Sequence, residues 1–236
     1  FRHMGIYFQS SANAIVSYNH VTIGDSPYQN NYHTANSGIF NDASNQFAQV
    51  NYNQVDFENA YSDEAQGLKG IAAHDSEVIG NSIVLYEGYN RWGNAGIGIY
   101  AHRSTIQDND VWVKDNDSNG SWEHTGYSYN YHGRGVGILS MGDGAPRHNI
   151  SNNTIDANNR SHAIWASYAD IENNIMTSSE GNNEYAILSG GYNAIRNNSI
   201  LGYHSGIHFD GKWSNEISGN YIETQYWGIY AANSSG

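Results

Sequence analysis

An asparagine that returns eight times in the same short frame constrains this chain more than any other feature. The frame is an aliphatic residue, then Asn three positions later, then an apolar residue two positions after that. It reads Val16–Asn19–Val21, Val50–Asn53–Val55, Val78–Asn81–Ile83 and Ile106–Asn109–Val111, and continues as Ile150–Asn153–Ile155, Ile171–Asn174–Met176, Ile195–Asn198–Ile200 and Ile217–Asn220–Ile222. Ahead of each frame stands a second motif, Gly or Ala followed by Ile, at Ile6, Ile39, Ile71, Ile99, Ile138, Ile164, Ile187 and Ile207, with a ninth copy at Ile229. Recurrence of this kind is the signature of a repeat architecture, in which each unit buries its apolar face only against its neighbours.

The period is uneven, with successive Asn residues 34, 28, 28, 44, 21, 24 and 22 apart. Within a unit the apolar residues alternate, Ile99 with Ala101 and Val111 with Val113, which predicts very short strands. No apolar stripe of helical period persists for three turns, so helical repeats are excluded. The pattern predicts an all-β, single-stranded, right-handed parallel β-helix of about nine coils, in one domain over 1–236 or as a segment of a longer chain. Coils roughly 4.8 Å apart give a rod about 40 Å long, and the right hand follows the rule for parallel crossovers. The repeated Asn is expected at a turn, where a short amide tolerates left-handed backbone and can stack along the rod. The Gly before each Ile is expected to form a tight corner.

Segments such as GIAAHDSEVIGNSIVLY and GIYAHRSTIQDNDVWV resemble the right-handed parallel β-helix repeats of the pectate-lyase-like superfamily, over essentially the whole chain. The resemblance implies the fold and a broad set of activities: polysaccharide lyases, glycoside hydrolases, epimerases, phage tailspike depolymerases, and surface proteins without catalysis. Gly142-Asp143-Gly144 and His132-Gly133 are too short to mark one of them.

Charge narrows the partners. Charged residues make up 14%, and the net charge is −13. Such a chain has no basic stripe to replace the counterions of a nucleic acid, and no apolar run long enough to enter a membrane. The 19 Tyr and 6 Trp suit the flat faces of sugar rings, and cysteine is absent. The expected partner is a glycan, and the expected place is extracellular or on a cell or virion surface. Open coil ends expose unpaired strand edges, so self-association or continuation into another domain is expected there.

One column carries candidate chemistry. Three residues past the repeated Ile stand Asp42, His74, His102, Met141, Ser167, Gly190 and Asp210, and the next position holds Asp75 and Arg103 in consecutive coils. If the coils stack in register, His74–Asp75 lies beside His102–Arg103. A carboxylate next to imidazole and guanidinium can serve acid/base and charge-stabilising roles. The predicted catalytic set is His74, Asp75, His102, Arg103 and Asp143; Asp42, Glu87, Trp92, Trp122, Tyr127, Tyr129 and Asp210 are predicted to bind substrate. The function expected is recognition and cleavage of an extracellular polysaccharide, by lyase or glycoside hydrolase chemistry. The alternative is a non-catalytic structural or adhesive segment of a surface fibre, adhesin or phage spike, in which the same column is a solvated polar ladder. The expected cofactor is none, or calcium held by the oxygens of Asp115, Asn116, Asp117 and Asn119. His74 and His102 offer two ligands to a transition metal but no third is defined, so no metal site is assigned.

Overall fold

Coil four shows how the repeat closes. Ile97–His102 forms a first face, Thr105–Gln107 a second and Asp110–Lys114 a third. Each face pairs in parallel with its equivalents in the coils before and after. Ile99 stands between Ile71 and Ile138, Ile106 between Val78 and Ile150, and Val111 between Ile83 and Ile155. The nine Gly/Ala-Ile copies run in one such series from Met4–Phe8 to Trp227–Ala232. The molecule is the expected parallel β-helix. The computed structural model describes residues 4–8, 13–24, 37–41, 47–60, 68–87, 96–114, 135–142, 148–210 and 214–232. Two long strands, Ile175–Ser189 and Ser199–Asp210, run from the third face of one coil into the first face of the next. They join those faces into a 15-stranded sheet, while the second face is a separate 8-stranded sheet.

The core is the inside of this triangle. Ile71, Ile99, Ile106, Val111, Ile138 and Ile150 are wholly buried in a single apolar cluster along the rod. Each such side chain contributes about 2 kcal/mol on leaving water, set against the entropy lost in ordering the chain.

The asparagines form the expected column. Each from Asn19 to Asn198 gives one Nδ2 hydrogen to the Oδ1 of the next coil's Asn, at 2.9–3.0 Å, in an unbroken series that ends on Asn220. From Asn53 onward, the other hydrogen goes to a backbone carbonyl of the preceding coil, as from Asn109 to Val78 O at 2.9 Å. The same Oδ1 also accepts a backbone N–H, as Asn109 Oδ1 does from Asn81. The amides are therefore satisfied although Asn81, Asn109 and Asn153 are about 1% exposed.

Two expectations about the turns are corrected. The left-handed residue is the one before the ladder Asn: Tyr18, Tyr52, Gly80, Asp108, Asn152, Asn173, Asn197 and Gly219 all have φ between 54° and 66°. The ladder amide needs ordinary backbone because it must point inward. The Gly before Ile is also no left-handed corner. A Cβ on Gly98 would lie 2.5 Å from Val111 Cγ1 and 2.6 Å from the Gly137 carbonyl oxygen. At Gly98 the Val111 side chain and the next coil's backbone leave no room for a methyl group, although Ala163 and Ala186 hold the same position two and three coils on.

Candidate functional site

On the first face the repeated Ile points in, the next residue out, the next in, and the fourth out. That alternation places His74 and His102 on the outer surface in neighbouring coils, and the register pairs them directly. Their rings have centroids 5.9 Å apart and are tilted by 54°. Tyr100 sits edge-on to His74 at 5.6 Å, and Lys69 Nζ lies 4.9 Å from the Tyr100 ring. The following register step ends at Ala101 with Ser140, so Met141 continues the His column in coil five. Its Sδ lies 3.6 Å from Ser167 Oγ.

Asp75 and Arg103 occupy the turn beyond, both with left-handed backbone, φ 50° and 48°. They are brought together: Arg103 Nε donates to Asp75 Oδ1 and Nη2 to Oδ2, each at 2.7 Å. This two-pronged bond commits the carboxylate to the guanidinium. A third imidazole lies beneath. His148 takes, in coil five, the position that Ser76 and Ser104 hold in coils three and four. It is buried, with Nδ1 2.6 Å from Ser140 Oγ and 3.1 Å from the Arg103 amide nitrogen. Its ring meets His102 edge-on at 5.8 Å. Burial, then the neighbouring His102, holds the His74 imidazole below its ordinary value; Asp75 opposes this, while Lys69 and Arg103 add to it. The site thus favours a neutral His74.

Asp42, Trp92, Trp122, Tyr127, Tyr129 and Asp143 lie outside the described residues, as do Asp115, Asn116, Asp117 and Asn119. Glu87 and Asp210 lie on described strands, but their side chains are outside the description. Of the predicted set, the structure therefore assembles His74, Asp75, His102 and Arg103. His148 is an addition. Its distance from the repeat motif is altered by the inserted 143–147, so counting from Ile138 does not reach it.

Among the described residues no group of three or more His, Cys, Asp or Glu is arranged to hold a metal ion. One outward column carries the imidazoles of His74 and His102 and then the Met141 thioether. No helix among the described residues is long and apolar enough to cross a membrane.

A family described as "Periplasmic copper-binding protein (NosD)" matches residues 85–236, well over half of the chain. No curated protein matches, and no solved structure matches. The expectation of no cofactor, or of calcium, is corrected by this finding, because the family's description names copper.

Proposed function

The chain belongs to the periplasmic copper-binding protein (NosD) family, and on that premise we propose that it is a non-catalytic β-helix that binds copper at the His74–His102 column. The observation carrying this reading is the column itself. Consecutive coils present imidazole, imidazole and thioether at one outward position. Imidazole and thioether suit copper, whereas calcium and magnesium require oxygens. A metal takes imidazole in its neutral form, the form that burial favours at His74. His148, fixed by Ser140, packs its ring edge-on against His102 and limits how that ring can turn. The residues that would hold copper are His74, His102 and Met141. The ion is cargo, and no reaction is assigned to it.

Polysaccharide cleavage at the same place has weaker support. Asp75 is the described carboxylate beside the two imidazoles, and it is closed on Arg103 at both oxygens. A base or nucleophile there would first have to break that pair.

The test is copper titration of metal-free protein, with Cu(I) measured by chelator competition under reducing conditions and Cu(II) by electron paramagnetic resonance. One ion should bind. His74→Ala and His102→Ala should each weaken binding by on the order of tenfold or more. Met141→Leu should weaken Cu(I) more than Cu(II). Copper binding unchanged in His74→Ala, or none in the parent protein, overturns the assignment.

A further inference from the structure

The residue before each ladder Asn holds left-handed backbone. At Gly80, Asp108, Asn152, Asn173, Asn197 and Gly219 it is a type that adopts this conformation readily. In coils one and two it is tyrosine. Tyr18 and Tyr52 have φ 59° and 57°, where a bulky side chain is disfavoured. Backbone bonds hold both turns: the Tyr18 N–H donates to Asn51 O at 3.3 Å and the Tyr52 N–H to Ile79 O at 2.9 Å. The two rings are stacked, 13° apart in plane, with centroids 5.4 Å apart. Next in the column Gly80 leaves room for the Tyr52 ring, since a Cβ there would meet Tyr52 Cε1 at 2.5 Å. Tyr18 is 80% exposed and Tyr52 53%, so burial does not explain the choice of tyrosine. Tyr168 and Tyr192 repeat the arrangement on another turn, with φ 55° and 57° and centroids 4.7 Å apart, but they are partly buried. Strained backbone kept in the same paired form at two places points to a use for the pair.

We propose that Tyr18 and Tyr52 are a modification site, at which one-electron oxidation driven by hydrogen peroxide joins the rings as dityrosine and staples coil one to coil two. Each phenol gives up one electron and one proton to the oxidant. The two phenoxyl radicals form a carbon–carbon bond between ring positions ortho to the hydroxyls. The hydrogens on those carbons then move to the oxygens and restore both phenols. In sum the pair loses two hydrogens, and one hydrogen peroxide takes them up to become two waters. A radical on one ring meets the other in place, because the fold holds them one coil apart and makes the coupling intramolecular. Their exposure admits the oxidant and leaves the rings free to tilt from a stack into a bond. Proteins of oxidising compartments commonly tie distant segments together with disulfides, a route closed to a chain without cysteine. A bond between residues 18 and 52 closes a long loop and so restricts the unfolded chain as a disulfide does. The pair lies on a different turn from Asp75 and Arg103, and its coupling is independent of copper.

The test treats dilute, metal-free protein with a peroxidase and hydrogen peroxide, then cleaves it after acidic residues. Cuts at Asp25 and Asp42 put Tyr18 and Tyr52 on separate peptides. The expected product is a monomer with dityrosine fluorescence, in which those two peptides travel as one species lighter than their sum by two hydrogens. The link between Tyr18 and Tyr52 should exceed any between Tyr168 and Tyr192. Tyr18→Phe and Tyr52→Phe keep the stacked ring and should each abolish the link. The linked protein should melt on the order of 5–10 °C above the unlinked one. An unchanged yield of dityrosine in Tyr18→Phe, coupling mainly between molecules or mainly at other tyrosines, or peroxide consumed without dityrosine overturns the proposal. A linked protein that melts no higher than its parent overturns the staple.

Discussion

Asn109 shows what one residue does in this fold. Its Oδ1 accepts two N–H groups from Asn81, and its Nδ2 donates to Val78 O and Asn153 Oδ1. All of these groups are shielded from water, so truncation leaves several unpaired at once. Asn109→Ala should cost about 3 kcal/mol, since each orphaned buried polar group costs about 1–3 kcal/mol before water or relaxation repairs some of it. Urea unfolding measures this, and a loss below about 0.5 kcal/mol, the usual size of a neutral surface change, would mean the ladder is incidental. His74 gives a second residue-scale test, through pH. Its folded pKa lies below the ordinary 6.5 because burial disfavours the charged ring. The folded state therefore binds fewer protons than the unfolded chain in that window. The stability this brings is present in full above about 6.5 and is lost as pH falls through the folded pKa. Thermal midpoints should drop between neutral and mildly acidic pH, and His74→Gln should flatten that slope. A His74→Gln protein with the parent's acid profile would place the titrating group elsewhere.

At the scale of a coil, the closeness of the first and third faces decides what can be substituted. Gly98 has no room for a methyl group between Val111 and the Gly137 carbonyl, whereas a Cβ on Gly24 would meet nothing within 4 Å. Gly98→Ala should cost about 2 kcal/mol by overpacking; Gly24→Ala should be near neutral. Equal midpoints in chemical denaturation would show that the faces can part without cost. The ladder and the inward Ile and Val residues declare themselves because period-two alternation and a fixed spacing are local. The register of His74 with His102, and of Asp75 with Arg103, then follows from counting. Other features depend on three-dimensional neighbours. Which of two adjacent turn residues becomes left-handed, Asp108 or Asn109, is decided by the need to aim the amide inward. His148 is displaced from the count by an insertion. Met141 falls in the counted column, yet as a lone thioether it carries no ligand signal until the two imidazoles are seen in register with it. Trp112 and Tyr86 read as ordinary strand residues until the register puts their rings side by side.

Over the whole molecule, shape and charge act together. The coils repeat one outward position at one spacing, so a face can present the same chemistry several times along a line. That geometry suits a column of donors, and the proposed ligand is a cation. With 23 acidic against 10 basic side chains, the chain is surrounded by a negative potential that concentrates cations near it. Copper ions should therefore associate faster than a neutral ligand of the same affinity. The advantage should fade with salt, because the screening length falls from about 30 Å at 0.01 M to about 8 Å at 0.15 M. Stopped-flow association of Cu(I) should slow several-fold across that range, with its dissociation rate little changed. An association rate that ignores salt would mean that copper enters by a route the acidic field does not govern. Comparing Arg103→Gln with the parent tests the field directly. Removing that guanidinium frees Asp75 and adds negative charge beside the imidazole column, which should steepen the copper profile.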